Sequence, residues 1–168
     1  MLSSLLRALL FVTITTVPVR ADDLGVAKGE ILLTVWGAIE STNADGVAQF
    51  DLAMLKALDD TVIKTSTIWT DGTHSFQGVA LNDLVSRLGV QGKTLRATAI
   101  NDYAVEIPIS DAVKGGPIIA YMLDGETMSV REKGPLWIVY PYDLNQAYRS
   151  EVIYSRSIWQ LDRIEALD

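Results

Sequence analysis

Asn101 and Tyr103 stand two residues apart, just ahead of the extended run ending at Ile107-Pro108. An amide beside a phenol can hydrogen-bond an oxyanion or orient a compact ligand, although Tyr103 is equally suited to the edge of a sheet. Trp36, Trp69, Trp137 and Trp159 each offer a broad apolar face and one donor, which serves a ligand pocket or a core. Arg131, Lys133, Arg149 and Arg156 lie around the Gly134-Pro135 corner and the chain's last segment. Together they could gather an anion, and separately they would be solvated surface charges. Asp102 and Asp111 would serve as general acid or base only if burial or a like-charged neighbour tuned them, and turn and helix-capping duties account for both as well. His74 is the only histidine and there is no cysteine, so thiolate catalysis and an ordinary zinc site are both excluded. No Ser-His-Asp order, phosphate loop or spaced carboxylate pair stands out.

These residues need a scaffold, and a chain of 168 residues with 49% hydrophobic content can bury one full core. Residues 1–21 carry Arg7, an apolar run of about ten residues from Ala8 to Val17, and Val19-Arg20-Ala21 as a small-residue cleavage site. They read as a secretory signal peptide, followed by one domain over residues 22–168. The apolar run is shorter than the roughly 20 residues a bilayer span needs. The expected location is therefore outside the cytoplasm, in the periplasm, with no membrane attachment after cleavage. Loss of Arg7 and Arg20 moves the net charge from −7 to −9, with 12 basic against 21 acidic residues. Such a surface repels phosphate backbones and anionic headgroups, so nucleic acid is not an expected partner.

Along the chain, Ile31 to Val35 reads as a first strand, and Asp51 is placed to cap a short helix carrying Leu52, Leu55 and Leu58. Val62 to Trp69 reads as a strand closed by a turn at Thr70 to Thr73, with His74 and Phe76 in the loop beyond. Leu81, Leu84, Val85 and Leu88 share one helical face, and Gly89 follows as a left-handed cap. Thr94 to Ile100 and Tyr103 to Ile107 read as neighbouring strands across the Asn101-Asp102 bend. Asp124-Gly125 marks a tight hairpin between IIAYML and ETM. Leu136 to Tyr140 reads as a buried strand, Tyr142 to Glu151 as a polar loop or short helix, and Ile158 to Leu167 as a closing strand. Strands and helices do not alternate regularly, which predicts a single mixed, β-rich α+β domain.

The combination TAINDYAVEIPISDAV, IIAYMLDGETMSVREKGPLWIVYP and FQGVALNDLVSRLGV resembles the core of the sulfite-oxidase-type molybdopterin-binding domain, and SRSIWQLDRIEAL resembles that domain's closing strand. The likeness covers most of Val62 to Leu167. It implies the sulfite-oxidase-like fold, oxidoreductase ancestry and molybdopterin as the family's cofactor. It also implies that Tyr103 matches the tyrosine near the metal's oxygen ligands and that Arg156 stands where a basic residue meets the cofactor. The family's enzymes hold molybdenum through a cysteine on the strand before the aromatic-x-Gly segment. Here that region is Thr65-Ser66-Thr67, and a hydroxyl is a far weaker ligand for a soft metal than a thiolate. The expectation is a non-redox pocket around Trp69, Asn101, Tyr103 and Arg156 that takes a small anion or a pterin. The alternatives are an oxidoreductase holding molybdopterin without cysteine, and an accessory subunit of an exported protein partner.

Overall fold

Leu33 and Val35 are buried along Leu33–Gly37 (β1) while the residues between and after them are not, so this strand offers one face to a core. The structure, a computed structural model, describes residues 24–168, and the segment read as a signal peptide lies outside the described residues. Asn43 accepts from the Gln49 N–H at 2.7 Å and donates to its carbonyl at 2.8 Å, closing the chain's return into Ala48–Phe50 (β2). Asp51 then caps Leu52–Leu58 (α1), its carboxylate accepting from the Met54 N–H at 2.9 Å, as its position predicts. The same carboxylate accepts from the backbone of Lys28 and Gly29, which ties the leading segment down.

Thr61–Thr67 (β3) and Thr70–Ala80 (β4) form a hairpin that differs from the sequence reading. The turn falls at Ile68-Trp69, where the Thr67 hydroxyl accepts from the Trp69 N–H at 3.0 Å and meets the Thr70 hydroxyl at 2.8 Å. Asp71-Gly72 and His74 lie within β4 instead of in a turn and loop, His74 paired with Thr65 and Asp71-Gly72 falling at a register shift between the Thr70 and Thr73 pairs. Gly78 in β4 is required by close approach, because a Cβ there would land on the Ile119 carbonyl. Leu81–Leu88 (α2) follows directly, burying Leu81, Leu84 and Leu88, and ends at Gly89 with φ 59°.

Thr94–Ala99 (β5) and Ala104–Pro108 (β6) pair across the predicted bend, Ile118–Leu123 (β7) and Glu126–Thr127 (β8) across Asp124-Gly125. Asp124 and Gly125 have φ of 50° and 87°, the positive pair that a primed hairpin turn demands. Trp137–Val139 (β9) packs on β7, Glu151–Arg156 (α3) is a short helix capped by Ser150, and Leu161–Leu167 (β10) returns to the first sheet. One sheet runs β2-β1-β10-β5-β6, with β1 and β10 parallel and the other pairs antiparallel. The other runs β3-β4-β7-β8, with β9 also on β7. One continuous apolar core joins both sheets. The β-rich α+β architecture is therefore as predicted. No helix among the described residues is long and apolar enough to cross a membrane.

His74 on β4 ties that strand to the β7–β8 turn, its Nδ1 lying 2.6 Å from the Asp124 carboxylate and its Nε2 2.8 Å from the Asp71 carbonyl. Both ring nitrogens face acceptors, so the imidazolium, with two N–H groups, satisfies both. The Asp124 hydrogen bond, followed by the Asp71 carbonyl, raises the His74 pKa. A raised folded-state pKa contributes stability that is complete below the ordinary value of about 6.5 and is lost as pH climbs through the folded value. His74→Gln should therefore lower Tm more at pH 5.5 than at pH 8.5. An equal loss at both pH values would show that the imidazolium does not hold the turn.

Candidate functional site

The two sheets meet at one end through Ile158 to Leu161. The Ile158 carbonyl accepts from the Ile138 N–H and the Leu136 carbonyl from the Leu161 N–H, at 2.9 and 3.0 Å. The Gln160 N–H donates to the Lys133 carbonyl at 3.0 Å and the Gln160 carbonyl accepts from the Ile100 N–H at 2.9 Å. This segment is thus stitched to β9 on one side and to the β5–β6 bend on the other. The β3–β4 turn brings Trp69 to the same place.

Between them lies a cavity of about 290 Å³. Trp69, Asn101 and Tyr103 line it, with Tyr154, Trp159 and Gln160 opposite, and Ala99, Ser155, Ser157 and Ile158 complete the wall. Three of the four residues expected from the sequence are brought together. Arg156 is not among the lining residues. It ends α3, and its guanidinium donates to the Asp111 carboxylate at 2.9 Å, beside the Tyr140 hydroxyl that donates to the same oxygen at 2.7 Å. Burial, and then the Asp111 contact, push the Tyr140 pKa far up, so this phenol remains a donor.

The bend sets Asn101 and Tyr103. Asp102 adopts φ 66°, its N–H donates to the Ala99 carbonyl at 2.9 Å, and the Asn101 side-chain oxygen accepts from the Tyr103 N–H at 3.2 Å. Tyr103 is 57% exposed at the rim. Arg163 on β10 donates to the Ala99 carbonyl behind this wall and is ion-paired to Asp102 at 2.8 Å and Asp162 at 3.0 Å.

Aromatic rings build the rest. Trp69 meets Trp159 at 5.5 Å and 70°, and Tyr154 at 5.8 Å and 83°. Behind it, fully buried Trp137 meets Trp69 at 5.9 Å and donates its indole N–H to the Ser157 carbonyl at 3.2 Å. Tyr142, also buried, donates its hydroxyl to Ser157 at 2.6 Å, and burial pushes its pKa up to about 12. Sequence reasoning missed Tyr154 and Gln160 as lining residues. Ser150 followed by Glu151 signals a helix start, but six residues of helix give no periodicity from which the side taken by Tyr154 could be read.

The Thr65-Ser66-Thr67 triplet ends β3 beside this region. The Thr65 hydroxyl is buried, donates to the Ser66 carbonyl and accepts from the Asp143 N–H, both at 3.1 Å. Asp143 accepts from the Ser66 N–H at 2.6 Å and hydroxyl at 2.7 Å, and Arg149 donates to it at 2.6 Å. The Ser66 bonds, then Arg149, hold the Asp143 carboxyl below its ordinary range. Each hydroxyl of the triplet is thereby engaged within the protein. No cluster of three or more His, Cys, Asp or Glu residues suited to a metal occurs among the described residues.

A larger and more open groove of about 680 Å³ lies on another face, lined in part by Lys28, Asp51, Lys56 and Tyr121. Its one buried carboxylate, Asp51, is already used by three backbone N–H groups, so it directs no unused acceptor at a guest.

Comparison with known proteins gives a consistent result. The family model described as the oxidoreductase molybdopterin binding domain matches residues 33–148. Among solved structures, the sulfane dehydrogenase SoxCD from Paracoccus pantotrophus is similar, with a TM-score of 0.63 and 18% identity over 87% of this chain and 40% of that one. The chain spans about two fifths of the length of that relative. No curated protein matches the sequence.

Proposed function

Because the chain belongs to the oxidoreductase molybdopterin-binding domain family, we propose that it keeps the family's fold as an exported binding or sensing module, holding a compact ligand without redox turnover. The observation that carries this reading is the cavity itself. Residues 69, 101 and 103, remote in sequence, converge with Tyr154 and Trp159 on one space. At about 290 Å³ it lies just below the roughly 300–1,000 Å³ typical of small-molecule sites, which suits a compact ligand.

The donors present do not suit the family's metal. Molybdenum there is held by a thiolate, this chain has no cysteine, and the three hydroxyls at the corresponding strand are engaged with the protein's own groups. Export rests on the pattern of residues 1–21.

Two measurements test the reading. Protein taken from its native exported compartment is expected to contain less than stoichiometric molybdenum by elemental analysis. Tryptophan fluorescence should respond to a bound compact ligand, with sulfite, sulfate, pterins and small organic amines as titrants, and Tyr103→Phe should weaken binding about three- to tenfold, the worth of one hydrogen bond. One molybdenum per chain would overturn the non-redox reading, and a fluorescence response indifferent to Tyr103→Phe and Trp69→Phe would place binding elsewhere.

A further inference from the structure

We propose that the ligand of the Trp69 cavity is a compact organic cation, of the quaternary or fully substituted ammonium class, and not an anion. This rests on the reading of the cavity as a ligand site and names what that site selects.

The lining contains no Lys, Arg, His, Asp or Glu. It is aromatic on several sides, with neutral amides and hydroxyls between. Trp69 meets Trp159 and Tyr154 at steep angles and centroid distances of 5.5 and 5.8 Å. Rings joined edge to face form an aromatic corner, and a ring face left uncovered in such a corner attracts a positive charge through its quadrupole. Trp159 lines the cavity and is 37% exposed.

The charges around the cavity agree. Arg156, which an anion would need, is committed to Asp111 at 2.9 Å. Arg163, behind Ala99, is matched by two carboxylates, Asp102 and Asp162, leaving that wall net negative. The Asp102 side chain is 84% exposed, between Asn101 and Tyr103 at the rim. Lys133 is the exception. Its ammonium lies 5.6 Å from the Trp137 ring and 6.0 Å from the Trp159 ring and has no carboxylate partner among the described residues. It lies outside the lining, and its position shows that Trp159 already accepts one cation. No charged donor lines the cavity, so a sulfate or nitrate would exchange its hydration only for the neutral donors of Asn101, Tyr103, Tyr154, Gln160 and two indoles, whereas a substituted ammonium sheds water easily and offers methyl groups to the rings.

Calorimetry with the mature protein tests this by comparing choline with its uncharged isostere 3,3-dimethylbutan-1-ol, with sulfate and a pterin alongside. Choline should bind about tenfold tighter than the isostere, the scale of a partly desolvated cation–π contact. Trp159→Leu, which keeps apolar bulk and removes the quadrupole, should abolish that preference. Lys133→Gln gives the sign: removal of a neighbouring positive charge should tighten choline binding about threefold, whereas an anion site would be weakened. Equal binding of choline and its isostere, or binding of sulfate or pterin alone, would overturn the cation assignment and leave the cavity a ligand site. Binding of none of them would overturn both.

Discussion

A Trp137→Ala variant should lose about 4 kcal/mol of stability, within the range for truncating a fully buried aromatic side chain. Trp137 has no exposed surface, and its ring packs edge-on against Phe76 at 5.4 Å, Trp69 at 5.9 Å and Trp159 at 6.4 Å. Its removal opens a cavity at the junction of the two sheets, where β9 and the segment before β10 are held together by an isolated bridge between Trp137 and Trp159. Trp69 and Trp159 of the proposed ligand cavity rest on this ring, so affinity for its ligand should fall even where the variant stays folded. Trp137→Phe separates the contributions. It keeps much of the volume but leaves the Ser157 carbonyl without its indole donor, and should cost about 2 kcal/mol from lost volume and one buried hydrogen bond. Denaturant unfolding measures both. A Trp137→Ala loss below about 1 kcal/mol would mean that the sheet junction does not depend on this ring.

The second large effect is expected at Asp111, far from the cavity in function although Arg156 adjoins it in sequence. Asp111→Ala leaves a guanidinium and the Tyr140 hydroxyl without their shared acceptor. Breaking a buried ion pair from one side costs about 3–5 kcal/mol. Here the Asp111 and Arg156 side chains are 14% and 23% exposed, so water relieves part of the loss and about 2–3 kcal/mol is expected. Arg156→Met in the Asp111→Ala background should recover part of that loss, because it removes the stranded charge, and the double-mutant cycle measures the coupling. Ligand affinity should be unchanged by Arg156→Met alone at a temperature where the protein is folded. A marked loss of affinity would return Arg156 to the site.

Much of the fold was legible because its signals are local. Asp51 before a leucine-spaced run, Gly89 after one, and Asp124-Gly125 between two apolar stretches each act over a few residues, through a cap, a left-handed turn or a primed hairpin. The β3–β4 hairpin was misplaced for a related reason. Asp71-Gly72 has the composition of a turn, but Thr67 and Thr70 close one three residues earlier, and Asp71-Gly72 becomes an irregularity in the ladder, with Gly72 at φ 78°. Helix α3 spans only six residues, too few for a periodic pattern to emerge.

By itself the sequence determined the acidic balance, the absence of any thiolate, the order of strands that marks the family, and the placing of Asn101 and Tyr103 beside a bend. Only the tertiary structure decided what they face. The direction of Arg156 depends on Asp111, 45 residues away, and the cavity's aromatic corner on Trp69, Tyr154 and Trp159 meeting from the β3–β4 turn, the end of α3 and the segment leading into β10. Residue types are local, but which charge is neutralised and which rings meet are properties of contacts between distant segments. For that reason the pocket foreseen for a small anion or a pterin gathers Trp69, Asn101 and Tyr103 once folded but not Arg156, which is held by Asp111.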